Sequence, residues 1–130
     1  MSNAPTRPVS LLIAALGGEG GGVLTRWIVN SARADGLPVQ ATSIPGVAQR
    51  TGSTTYYIEI WPEAIDPQDG RRPVFSLAPA AGEVDIVAAT ELAEAARMIE
   101  AGYVTPDRTT LVASDHRVAT THEKIAMGDG

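Results

Sequence analysis

The chain has no cysteine in its 130 residues, so neither a disulfide nor a thiolate-held iron–sulfur cluster can be built from it. It has no apolar run near the ~20 residues that span a bilayer, and no signal-peptide pattern. Basic residues are not in excess either. The formal net charge is −5, which leaves no positive field for duplex nucleic acid. Together these absences point to a cytoplasmic protein with neither nucleic-acid nor membrane partners. A hydrophobic fraction of 44% and a mean hydropathy of +0.01 are those of a soluble globular protein, and 13.6 kDa is one α/β domain at the small end. Residues 1–9 read as a flexible, Pro-containing lead-in, and residues 10–130 as the domain.

Glycine is abundant at one place. Gly17, Gly18, Gly20, Gly21 and Gly22 surround Glu19 directly after the apolar run Leu11-Leu12-Ile13-Ala14-Ala15-Leu16. So many glycines cost backbone entropy, and between a strand and a helix they place main chain close to something. That object is an anion held by free N–H groups and the helix dipole, or else a neighbouring backbone; both readings stand at this point.

Around this run the pattern alternates strand and helix. Residues 11–16 are too short for a helix and continuously apolar, as in a strand covered on both faces. Residues 23–34 predict a helix whose inward stripe is Leu24, Trp27, Ile28 and Ser31 or Ala32, ended by Gly36 and Pro38. Residues 39–44 give a second strand, making a β–Gly loop–α–β unit like the first half of a doubly wound sheet. Residues 53–61 alternate, with Tyr56, Ile58 and Ile60 on one side and Thr55, Tyr57, Glu59 and Trp61 on the other. Residues 61–82 hold four prolines and two glycines and predict a long excursion, with a short strand at 73–77. A buried-type strand at 84–90 follows, then a helix N-capped by Thr90, with Leu92, Ala95, Ala96 and Ile99 inward and Gly102 as its stop. The last strand is 109–114. The expected fold class is α/β: a doubly wound, mostly parallel, Rossmann-like sheet, whose pattern dissolves after Asp115 as in a truncated chain or one whose sheet a partner completes.

Several familiar chemistries lack their residues. No Lys follows the glycines, so there is no Walker A loop. The dinucleotide fingerprint opens at Gly18-Glu19-Gly20 but closes on Val23, and Thr42 and Ser43 stand where a ribose-binding carboxylate belongs. Glu19 itself would repel a phosphate. His116 and His122 match no metal spacing. Ser114-Asp115-His116 lacks a strained nucleophile elbow. Glu94, Arg97 and Glu100 read as a solvated helix face, and Tyr56, Tyr57 and Trp61 as core or interface. No catalytic or metal-binding residue is assigned.

A second polar glycine loop follows the second strand: Pro45-Gly46-Val47-Ala48-Gln49-Arg50-Thr51-Gly52-Ser53. In an open α/β sheet, loops at the C-terminal ends of strands line one crevice. Arg50 offers a planar fork of donors for carboxylate or phosphate, with Gln49, Thr51 and Ser53 as neutral partners. The candidate binding residues are therefore Gly17, Gly18, Glu19, Gly20, Gly21, Gly22, Gln49, Arg50, Thr51, Gly52 and Ser53.

These two motifs, in this order, resemble the beta subunit of indolepyruvate:ferredoxin oxidoreductase and, more broadly, the gamma-type domain of 2-oxoacid:acceptor oxidoreductases. Family members carry a GxGGQG-like loop after the first strand and a GxAQRGGS-like loop after the second. Glu19 replaces a common Gln and Thr51 a common Gly. The resemblance covers about residues 11–114. It implies a non-redox subunit or domain of a thiamine-dependent indolepyruvate/arylpyruvate-type enzyme that decarboxylates a 2-oxoacid, acylates coenzyme A and reduces ferredoxin. Thiamine diphosphate and 4Fe–4S clusters are then expected on the catalytic partner, with coenzyme A the candidate ligand here and the isolated chain inactive. Two other readings stay open: a stand-alone nucleotide-binding module, and a purely structural interaction domain.

Overall fold

The apolar run after Pro8 forms β1 (Val9–Leu16), the middle strand of a five-stranded sheet. The computed structural model describes residues 6–18, 20–45, 53–68, 70 and 72–115. The other elements are α1 (Gly21–Ala34), β2 (Val39–Pro45), β3 (Ser53–Ile60), β4 (Ile86–Ala89), α2 (Leu92–Glu100) and β5 (Thr110–Ala113). The strand order is β2-β3-β1-β4-β5. Strands β1, β4 and β5 run parallel, and β3 runs antiparallel to both β1 and β2. The expected open α/β sheet is present, but β2 does not lie beside β1 as in a simple β–α–β half. Strand β3 is inserted between them, in register from Val9↔Ile60 to Leu16↔Ser53 on one side and from Val39↔Ile60 to Pro45↔Thr54 on the other.

Each face of the sheet is covered. Ile13, Ala15 and Ile58 are buried on the face that carries Ile28 of α1; Leu12, Ala14, Tyr57 and Val87 are buried on the face that carries Met98 of α2. The alternation in β3 is as the sequence predicts, with Tyr56, Ile58 and Ile60 toward α1 and Tyr57 opposite. Burial on both faces explains why β1 is apolar without interruption.

The helices rest on the sheet by only part of their predicted apolar stripes: Ile28, Ala32 and Ala95 face inward as expected, and Ala96 is exposed. In α1 the buried positions are Gly21, Thr25 and Ala32, while Leu24 and Trp27 face outward. Small residues on the inner side let α1 sit close to the strands. In α2 the inner positions are Glu94, Ala95 and Met98, so Leu92 and Ile99 face solvent. Both helices stop where expected: the Leu37 N–H closes on Ala32 O at 2.9 Å, and the Tyr103 N–H on Met98 O at 3.0 Å.

The excursion after β3 contains no strand at 73–77. Its backbone bonds to side chains of the sheet instead. The Ser76 N–H donates to Glu59 Oε1 at 2.7 Å, and Thr42 Oγ1 donates to Leu77 O at 2.8 Å. Glu59 is buried and accepts a second bond, 2.5 Å, from the Tyr57 hydroxyl. Burial, then the carboxylate beside it, pushes the Tyr57 phenol well above its ordinary value, so it remains a donor. Among the described residues, no helix is long and apolar enough to cross a membrane.

Candidate functional site

One edge of the sheet collects the ends of the parallel strands: β1 at Leu16, β4 at Ala89 and β5 at Ala113, with Ala89 facing both Ala14 and Ala113. Strand β2 ends on the same edge at Pro45, and β3 begins there at Ser53. Leu16, which precedes the first glycine loop, pairs directly with Ser53, which ends the second. Pro45, which opens the second loop, pairs with Thr54. The register thus brings together the flanks of both glycine motifs, although they lie far apart in sequence. Glu19, Gln49, Arg50, Thr51 and Gly52 lie outside the described residues, as do His116 and His122.

Within the first loop the glycines answer different demands. Gly18 and Gly20 have φ of +83° and +82°, the left-handed region that side chains disfavour, and both have open space where a Cβ would stand. Gly21 has an ordinary φ but no room: a Cβ there would lie 2.6 Å from Ala15 Cβ and 2.9 Å from Tyr56 Cε2. Gly22 is close to the Tyr56 hydroxyl, 3.3 Å from a built Cβ. The loop therefore turns at Gly18 and Gly20, then lays the first turn of α1 against β1 and the Tyr56 ring. Gly17 is exposed.

Among the described residues no side chain caps the start of α1, whose N-cap is Gly20. The hydroxyl of Thr25 does not serve there either; it bonds back to Gly21 O at 2.8 Å. Helix-start N–H groups without a side-chain partner carry partial positive charge toward this edge. What a glycine-rich loop contributes chemically is a set of main-chain donors that a ligand can approach closely.

The other wall comes from the β4–α2 junction. Thr90 is not the N-cap of α2 as expected; its Oγ1 accepts instead from the Leu16 N–H at 3.2 Å, tying β4 to the start of the glycine loop. Glu91 is the cap, with Oε1 accepting from the Glu94 N–H at 2.9 Å. Glu94, expected on a solvated face, is 1% exposed. Its carboxylate accepts from Arg97 Nη2, and the same nitrogen donates to Ser53 Oγ at 2.8 Å. A buried carboxylate on a short helix needs such a partner, because an unpaired charge there would be costly. Arg97 is held by Glu94 on its own helix and reaches across to the end of the second glycine loop.

Glu91, Glu94 and Arg97 were not among the candidate binding residues. Their spacing of three carries a signal, since Glu91-x-x-Glu94 has the geometry of a cap and Glu94-x-x-Arg97 that of an intrahelical pair. Neither pattern reveals burial. Of the candidate residues in the second loop, Ser53 is described and buried. Two open hollows of about 550 and 570 Å³ lie at the opposite edge, around Ile65, Asp66, Arg72 and Pro73, away from the glycine motifs.

Comparison with known proteins supplies a family. The family model described as pyruvate ferredoxin/flavodoxin oxidoreductase matches residues 10–127. Among solved structures, the chain is similar to 2-oxoglutarate:ferredoxin oxidoreductase from Magnetococcus marinus, a structure with 2-oxoglutarate, coenzyme A and succinyl-CoA bound. That match has a TM-score of 0.64 and 14% identity, covering 88% of this chain and 18% of the other. It is also similar to the pyruvate oxidoreductase subunit PORC from Thermotoga maritima, with a TM-score of 0.54, 16% identity, and coverage of 95% of this chain and 58% of that one. At these identities the likeness is one of fold, and the chain spans only part of each relative's length. No curated protein matches it. With almost the whole chain matched by the family model, the protein belongs to the pyruvate ferredoxin/flavodoxin oxidoreductase family.

Proposed function

We propose that the chain is the non-redox subunit or domain of a thiamine-dependent 2-oxoacid:ferredoxin oxidoreductase of the indolepyruvate/arylpyruvate type. In this reading it packs on the catalytic subunit or domain and helps bind coenzyme A in a crevice shared by the two. The observation that carries the proposal is the Leu16↔Ser53 pairing, which gives both glycine motifs one edge of the sheet. Thiamine diphosphate and the 4Fe–4S clusters belong to the partner, where they supply decarboxylation and carry the electrons. A chain without cysteine fits that division. The fold-similar 2-oxoglutarate enzyme with coenzyme A bound supports coenzyme A as the ligand class.

This chain's own contribution is to bind and orient. The first loop offers main-chain donors at the start of α1, Arg50 offers a guanidinium for a phosphate or carboxylate, and Arg97 fixes the end of the Arg50 loop through Ser53. Glu19 and Thr51 depart from the family pattern and bear on which acid is accepted. In the assembled enzyme, Arg50→Ala is expected to raise the Michaelis constant for coenzyme A or the 2-oxoacid about tenfold, as for loss of one charge-assisted bond. Both constants unchanged would exclude the role.

A purely structural reading draws on one observation: Gly21 and Gly22 are explained by packing within the chain, against Ala15 and Tyr56, without any ligand. That reading predicts an Arg50→Ala enzyme with unaltered constants and normal assembly.

A further inference from the structure

Helix α1 carries two faces of use, and the sheet takes only one. Thr25 and Ala32 point inward and Ile28 packs on the core. On the outer side Val23, Leu24 and Trp27 are 44%, 39% and 65% exposed. At 3.6 residues per turn, these three fall with Ser31 and Ala34 in one arc about 100° wide. A contiguous apolar stripe centred on an exposed tryptophan marks an interaction surface, and tryptophan is enriched among the residues that dominate such surfaces.

Charge and position narrow what the stripe receives. The residues of α1 include two arginines, Arg26 and Arg33, and no acid, although the chain as a whole is at −5. Among the described residues neither guanidinium has an ion-pair partner. Both lie on the arc that borders the stripe. The surface that fits is therefore apolar with a carboxylate rim. A second copy of α1 offers no carboxylate, and two chains at −5 repel. The stripe also begins at Val23, straight after the glycine loop, so a body seated on it borders the crevice at Leu16 and Ser53.

We infer that the outer face of α1, centred on Trp27 and flanked by Arg26 and Arg33, is the surface on which the catalytic subunit or domain seats. This rests on the functional reading above and adds the surface through which it operates. The test is sedimentation-velocity titration of the full chain with the thiamine- and iron–sulfur-containing part of the enzyme, prepared without this chain. Wild type is compared with Trp27→Ala and with Arg26→Glu/Arg33→Glu, with circular dichroism to verify folding. Trp27→Ala is expected to weaken binding at least about thirtyfold, and the charge reversal about tenfold with a shallower salt dependence. Wild-type binding that both variants retain would overturn this surface and leave the functional reading standing. No binding by wild type would overturn both. Self-association of the chain alone, abolished by Trp27→Ala, would replace the catalytic part with a second copy.

Discussion

Gly20 and Gly21 are neighbours that are glycine for different reasons, and substitution separates them. At Gly20 the backbone is left-handed and the space is open, so Gly20→Ala is expected to cost about 1–2 kcal/mol of stability through conformation alone. At Gly21 the conformation is ordinary and the space is taken, so Gly21→Ala is expected to cost about 1–3 kcal/mol through crowding. Urea unfolding of double variants tells the two apart. Adding Ala15→Gly should recover part of the loss in Gly21→Ala, because the nearest atom is Ala15 Cβ. It should recover nothing in Gly20→Ala. The presence of a glycine loop between strand and helix is legible in the sequence. The reason for each glycine is not, since Gly20 answers to the turn of the backbone and Gly21 to Ala15 of β1 and Tyr56 of β3.

At the scale of elements, the existence of both helices and the alternation of β3 are legible, and the orientation of the helices is not. Periodicity finds the apolar stripe and assigns it to the core. In α1 and α2 the inner sides mix small or polar residues (Gly21, Thr25 and Ala32 in one, Glu94 and Ala95 in the other) with Ile28 and Met98, and part of the apolar stripe faces outward. Glu94 shows why local pattern fails: the Ser53 hydroxyl that engages its partner Arg97 is 44 positions away in the chain. Arg97→Ala is expected to destabilise the domain by about 1–2 kcal/mol, less than for a wholly buried pair because Arg97 is 45% exposed. Glu94→Gln in the same chain should restore much of that loss by removing the unpaired buried charge, giving strong non-additivity in a double-mutant cycle read by denaturant midpoint.

For the molecule as a whole, the open α/β class follows from the order of strands and helices, whereas the insertion of β3 between β1 and β2 does not. Sequential strands joined through a helix commonly lie side by side, and only the pairing of β3 with both neighbours reveals the split. The insertion has a consequence for function. It sets Ser53 opposite Leu16, so the residues flanking the two glycine motifs pair through β3 rather than through adjoining parallel strands. Family membership is established over residues 10–127, while the chain covers 18% of the 2-oxoglutarate enzyme and 58% of the pyruvate oxidoreductase subunit named above. In the proposed function, the polar edge of the sheet and the apolar face of α1 are the surfaces through which such a domain completes a larger enzyme. The most direct measurement is calorimetric titration of coenzyme A into the isolated chain and into the chain assembled with its catalytic part. A shared crevice predicts weak or no binding to the chain alone and clear binding to the assembly that Arg50→Ala diminishes; equally tight binding to the isolated chain would contradict it.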